Sequence, residues 1–291
     1  MKTVLITGGN GRMGRCIAKG LRAAGFQVVS ASRTPNEELG VVSLDVRDSE
    51  ACIAIMKGVD VVIHMAYYLK CDKFREEQVP TNIIGTWNIY EAAAKNGVKR
   101  MIFGSSNHAV GYYQRTDELR DDSMHRPDSS YGLSKCFSEL CGRYFSDRYG
   151  ISVINVRIGS FSHDNLPYSY RRCKTWLSYD DTQQLFQKCV EADESIRFLT
   201  IYGTSNNSEN YFDISGLKDL IGYEPKDNGM DHLEEAVKTD YFKGLDDYEF
   251  LGGEGFLRDP FTGEIVAEDL DTIRKRLVKD YKKQQGSRAA E

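Results

Sequence analysis

Tyr131 and Lys135 stand four residues apart where a helical periodicity begins, so their side chains share one helical face. An ammonium at that spacing favours phenolate over phenol. It therefore predicts a tyrosine whose pKa falls from about 10 toward neutral pH and which accepts a proton. Upstream, Phe103-Gly104-Ser105-Ser106-Asn107-His108 carries hydroxyl and amide groups to the end of a strand-like run, and Ser106 is expected to hydrogen-bond the same reacting oxygen. A hydroxyl, a phenol and an amine around one oxygen suit proton removal from an alcohol; the electrons need a separate acceptor.

The first residues supply a place for one. A strand, Lys-Thr-Val-Leu-Ile-Thr, runs into Gly-Gly-Asn-Gly-Arg-Met-Gly-Arg, which sets Gly8, Gly11 and Gly14 ahead of an amphipathic helix. Glycines at that spacing allow a sharp turn and let backbone N–H groups approach a pyrophosphate at a helix N-terminus. Arg12 and Met13 lie in the same loop. The second strand ends Ser30-Ala31-Ser32-Arg33-Thr34, without the carboxylate that accepts hydrogen bonds from an adenosine ribose. Ser32 and the forked guanidinium of Arg33, helped by Arg12, predict NADP in preference to NAD. Asp45 and Val46 are expected beside the adenine, with capping of the next helix as the alternative role for Asp45. Met65, Ala66 and Asn82 complete the expected cofactor contacts.

These groups need a frame that brings separate strand ends together. Strands are predicted near 2–7, 26–31, 41–44, 60–64, 99–105 and 151–158, with helices near 12–24, 49–57, 74–96 and 129–149. That alternation predicts an α/β fold: a doubly wound, Rossmann-like parallel sheet with a smaller C-terminal substrate-binding region. The expected divisions are 1–159 for the dinucleotide and the Tyr/Lys helix, 160–245 for substrate, and 246–291 as an extension without an assigned role. Within 160–245 a helix near 180–191 and a strand at 197–202 are expected, the strand returning to the main sheet. A charged helix is expected near 268–284.

Hydrophobic content of 41% and charged content of 28% over 291 residues exclude fibrous and largely disordered classes. The 38 basic and 43 acidic residues leave a net charge of −5, which argues against nucleic acid or an anionic membrane as partner. No apolar run reaches membrane-spanning length and the chain starts on a strand without a charged leader, so a cytoplasmic location is expected. Seven cysteines lack paired C-x-x-C spacing, which predicts reduced packing thiols and no metal. His64 is expected as a hydrogen-bonded wall residue, and the His163-Asp164 pair as loop polarity.

The glycine loop, the strand-terminal Ser-Ser and Tyr-x-x-x-Lys, in this order, resemble the extended short-chain dehydrogenase/reductase family over about residues 1–230, including Asn82-x-x-Gly85-Thr86. The resemblance implies that Ser106, Tyr131 and Lys135 are catalytic and that Lys135 also contacts the nicotinamide ribose. Within the family, S-S-N-H at 105–108, R-P-D-S-x-Y-G-x-S-K-C-F at 126–137, V-R-I-G-S at 156–160, T-W-x-S at 175–178 and P-K-D-N at 225–228 are similar to uronate dehydrogenases. Those enzymes oxidise the anomeric carbon of galacturonate or glucuronate to a lactone. The likeness implies that Asn107, His108, Ser160 and Arg171 line a sugar site, with Arg171 on the carboxylate. Where those enzymes have a substrate-binding serine after the fourth strand, this chain offers Lys70, or Leu69 if an insertion falls later. Lys70, Arg171, Arg172 and Lys174 together also suit a hexose 6-phosphate or another anionic aldose, although a solvated face is the other reading of Arg172 and Lys174. Tyr67, Tyr68 and Trp176 are candidates for walls of the sugar pocket. A nucleotide-sugar epimerase or dehydratase and a non-catalytic NADP sensor are the remaining alternatives. By analogy with the family, helices around 82–96 and 129–149 are expected to form a homodimer.

Overall fold

The computed structural model describes residues 1–117, 119, 123–239 and 250–253. Strand β1 (Thr3–Thr7) feeds helix α1 (Arg12–Ala23), followed by β2 (Gln27–Ser32), β3 (Val41–Ser43), α2 (Ser49–Ile55) and β4 (Val61–His64). A second run holds α3 (Gly85–Asn96), β5 (Arg100–Ser106), α4 (Ser130–Tyr149) and β6 (Ser152–Ile158). Helices α5 (Tyr170–Thr175) and α6 (Tyr179–Glu191), strand β7 (Phe198–Gly203) and helices α7 (Leu217–Ile221) and α8 (Leu233–Lys238) complete the described elements.

All seven strands pair in parallel, in the order β3-β2-β1-β4-β5-β6-β7. The chain leaves β3 at one edge and re-enters beside β1 as β4. The crevice of this switch point therefore opens between the carboxyl ends of β1 and β4, where Thr7 pairs with His64. The sheet is covered on both faces because successive side chains alternate. Val4 and Ile6 pack with Ile17, Leu21, Phe186 and Val190, while Leu5 faces Met56, Ile89, Tyr90 and Phe145. Strand β7 pairs with β6 along its whole length, and α6 packs on α1, so this part of the predicted substrate region shares the sheet of the dinucleotide half.

The predicted 74–96 helix divides in two. Its first eleven residues, Phe74–Ile84, form a wider coil containing Pro80, before regular winding starts at Gly85. A proline has no N–H to donate and its ring crowds the carbonyl four residues back, so the local winding expands. Gln78 and Asn82 turn inward from this coil. Helix α4 is capped by the Ser129 hydroxyl, which accepts the Gly132 N–H at 3.0 Å, and closes at Gly150 with φ +72°. The helix predicted at 268–284 lies outside the described residues.

Candidate active site

Two cavities meet at the carboxyl ends of the strands, and Leu69 lines both. The first, about 310 Å³, is bounded by Gly8 and Gly11, by Ser32, Arg33 and Thr34 after β2, by Asp45 and Val46 after β3, and by Met65, Ala66, Tyr67 and Tyr68 after β4. Gly8, at φ +72°, has no room for a Cβ, which would lie 2.7 Å from the Met65 carbonyl; at Gly14 it would strike the Gly8 carbonyl. Backbone thus packs on backbone around the N-terminus of α1, and the donors and shape fit the pyrophosphate and adenosine of a dinucleotide.

Asp48 caps α2 by accepting the Ala51 N–H, which leaves Asp45 on the cavity wall, where Arg47 binds it through both carboxylate oxygens and holds its pKa below the usual carboxylate range. Arg33 is 61% exposed, with Glu77 4.0 Å away. The other expected cofactor residues stand back from this wall. Met13 packs against the core. Arg12 is exposed at the start of α1 and is absent from the lining of this cavity. Asn82 is fully buried and braces the chain: it accepts the Tyr68 N–H at 2.8 Å and donates to the Tyr68 carbonyl and the Ser134 hydroxyl.

The second cavity, about 390 Å³, is lined by Ser106, Asn107, His108 and Tyr131, together with Ser160, Arg171, Arg172 and Trp176. Ser106 ends β5, where its hydroxyl accepts the His108 N–H at 3.3 Å, and it lines the cavity with Tyr131. His108 donates from Nδ1 to the buried Asp128 carboxylate at 2.7 Å, and its ring meets Tyr131 edge-on. Asn107, with its amide turned to satisfy both neighbours, donates to the Ile158 carbonyl at 3.2 Å and accepts from Arg171 at 3.1 Å. Ser160 bonds Thr175 at 2.7 Å. Tyr67 and Tyr68 line the dinucleotide cavity, whereas Trp176 walls this one.

Three expectations change. Lys70 is exposed and its backbone carbonyl accepts from Gln78; Leu69 and Cys71 on either side line the cavity. Arg172 belongs to the cavity wall, while Lys174 turns to Glu209 at 2.9 Å and to the Tyr170 ring. Lastly, the Tyr131 pKa is raised, against the expected fall, and Lys135 lies nearer another ring. Its ammonium donates to the Gly104 carbonyl at 2.5 Å and sits 3.4 Å above the Tyr67 ring, 5.4 Å from that of Tyr131. Burial raises the Tyr131 pKa, and the Ser106 hydrogen bond opposes it without reversing it. Burial also pushes the Lys135 pKa well down, with the Glu139 charge resisting.

Behind the cavity lies a buried network that the sequence reading did not pick out. Tyr131, Lys135 and Glu139 recur every fourth residue along α4. Glu139 receives two bonds from Arg157 of β6, at 3.1 and 2.9 Å, one from Ser105 at 2.5 Å, and pairs with His125 at 2.8 Å. Arg157 also donates to the Tyr202 hydroxyl. Burial alone would raise the Glu139 pKa, but His125 and Arg157 hold it down to about 2. A guanidinium in a strand with no other charged residue and the four-residue recurrence were the available signals. His64 is fully buried between Thr7 and Thr86, its pKa lowered to about 3 by burial and by Lys135, which fits the wall role. Exposed His163 and Asp164 share the Tyr168 hydroxyl.

Residues 4–162 match the NAD dependent epimerase/dehydratase family. The chain is 35% identical over 267 residues to a uronate dehydrogenase of Pseudomonas putida, covering 89% of this chain and 97% of that one. It is also 35% identical over 258 residues to an NAD-dependent glucose-6-phosphate dehydrogenase of Haloferax volcanii, covering 81% and 98%. A crystal structure of a mutant uronate dehydrogenase from Agrobacterium tumefaciens complexed with NAD superposes with a TM-score of 0.81 at 33% identity, over 90% of this chain and 99% of that one. Among the described residues no helix is long and apolar enough to cross a membrane.

Proposed function

The chain belongs to the NAD dependent epimerase/dehydratase family and is a nicotinamide-dependent oxidoreductase acting on CH–OH groups, and on that premise we propose that it oxidises the anomeric hydroxyl of a uronate such as galacturonate or glucuronate to the lactone. The observation that carries this reading is the joining of two cavities, one around the glycine loop and one walled by Arg171, with Ser106 and Tyr131 in the second. A nicotinamide dinucleotide, when bound, supplies the hydride acceptor. Gly8, Gly11, Ser32, Arg33, Asp45, Val46, Met65 and Ala66, which line the first cavity, would hold it. Tyr131 takes the proton from the C1 hydroxyl while Ser106 hydrogen-bonds that oxygen, and Lys135, one turn along the same helix, is anchored at the Gly104 carbonyl. Arg171 orients the distant carboxylate, so binding energy lowers the cost of alignment.

Arg172 on the same wall favours a second reading, a hexose 6-phosphate, whose greater charge two guanidiniums accommodate. For the cofactor, Ser32, Arg33 and Thr34 at the end of β2 support preference for NADP. Reduced-cofactor absorbance measured with uronates, neutral aldoses and hexose 6-phosphates, each with NAD and NADP, decides among these. Fastest turnover of a uronate is expected; absence of turnover with every sugar overturns the reading. The expected homodimer is assigned to the face of α3 and α4 bearing Trp87, Leu133, Leu140 and Tyr144, which are 42–60% exposed. Light scattering on the wild type and L140D checks that assignment: a dimer that L140D splits supports it.

A further inference from the structure

Residues 250–253 return from the far end of the chain to the sugar cavity, and Gly252 is part of its lining. Their backbone is fastened on both sides. Phe250 bridges Gln114, the Leu251 N–H donates to the Tyr113 carbonyl at 2.9 Å, and the Gly252 N–H donates to the Gly111 carbonyl at 2.8 Å. Phe250 and Leu251 are each 1% exposed, so the segment is packed as core rather than laid over the surface. Two contacts lead from it to groups of the cavity. The Leu251 carbonyl accepts a hydrogen bond from Arg171, whose guanidinium also reaches Asn107. Gly252 and Gly111 together leave the space filled by the Asp128 carboxylate, and a Cβ at either position would fall inside that carboxylate. Asp128 in turn binds His108 Nδ1 at 2.7 Å and accepts the Ser129 hydroxyl.

We propose that residues 250–253 are a positioning element of the sugar site: the Leu251 carbonyl aims Arg171, and the missing side chain of Gly252 seats Asp128 so that His108 presents its other ring nitrogen to the substrate. This rests on the reading of that cavity as the sugar site, and it gives a role to a part of the chain whose sequence suggested none. Asp128 holds the imidazole in one orientation through Nδ1, which leaves Nε2 as the polar atom available to a sugar hydroxyl. The charged and titratable groups around that ring are Asp128 on the loop before α4, Tyr131 on α4, and Arg171 and Arg172 on α5, which share its cavity.

The test is G252A. With Asp128 displaced by the added methyl, KM for the sugar acid is expected to rise about tenfold or more while kcat stays within about twofold and dinucleotide affinity is unchanged, a split that general loss of structure does not give. Independently of any substrate, the His108 titration followed by NMR, identified by its change in D128N, is expected to move in G252A. A superimposable His108 titration in G252A and wild type overturns the proposal, as does a displaced titration with an unchanged KM. If the wild type oxidises no sugar acid, the function proposed above fails while the titration still reports on the link. If G252A does not fold, hydrogen exchange in D128A replaces it: faster exchange of the Gly252 N–H supports the link, and unchanged exchange overturns it.

Discussion

Removing the Glu139 carboxylate should weaken the fold far more than its distance from the reacting oxygen suggests. Glu139 and Arg157 are each 2% exposed, and the guanidinium makes two of its bonds to this one carboxylate. In Glu139→Leu the Arg157 charge stays inside the molecule with only the Tyr202 hydroxyl among the bonds described above, and breaking one side of a buried pair costs about 3–5 kcal/mol. At roughly 2–4 °C per kcal/mol for domains of this general size, melting should fall by about 6–20 °C. Replacing both partners, as Glu139→Leu with Arg157→Met, removes the stranded charge and should restore at least half of the loss, since apolar replacement of a buried pair is often nearly neutral. Urea denaturation of the two single variants and the double variant measures this directly. A loss below about 1 kcal/mol in Glu139→Leu, or a double variant no more stable than the single, would refute the assignment of the pair as a mutually dependent buried unit.

Tyr131→Phe should lower turnover by about a hundredfold to ten-thousandfold while leaving dinucleotide binding intact, as calorimetry would show. Because burial raises the Tyr131 pKa, wild-type sugar oxidation should keep increasing with pH above neutrality; a plateau below about pH 7 would contradict the assignment. Arg33→Ala should reduce the ratio of catalytic efficiencies for NADP over NAD by roughly tenfold to a hundredfold, the value of a charge-assisted bond of about 1.5–3 kcal/mol, and an unchanged ratio would remove Arg33 from cofactor choice. His64 has its pKa lowered from 6.5 to about 3, so an unfolded chain gains a proton that the folded one refuses. Stability from this group is complete above pH 6.5 and is lost as pH falls toward 3; His64→Gln should show a shallower acid slope in denaturant titrations.

The sheet was legible because its strands are short apolar runs separated by helices with clear periodicity, and the observed strands begin and end within a residue of the expected ones. The glycine loop and the Tyr131/Lys135 pair were legible for a similar reason: each is local, its geometry set by neighbours in sequence. What stayed hidden was assembled from distant segments. Nothing near Lys70 in the sequence shows that it is exposed outside the cavity while Leu69 and Cys71 on either side line it. Nor does the spacing of Tyr131 and Lys135 reveal that a carbonyl from β5 and the ring of Tyr67 compete for the ammonium, or that burial outweighs charge at the phenol. The helix expected over 74–96 did not show that its first part, Phe74–Ile84 around Pro80, winds more widely and turns Gln78 and Asn82 inward to Ser130 and Ser134.

Placing Tyr131, Lys135 and Glu139 along one line of α4 makes the chemistry depend on rotational phase. Each residue inserted or deleted between 131 and 139 turns everything beyond it by about 100°, swinging Glu139 toward solvent and opening the pair with Arg157. Substitutions on the outer side of this helix leave that alignment untouched. Divergence here should therefore proceed by exchange of side chains at constant length, whereas the connections on either side are free to grow or shrink.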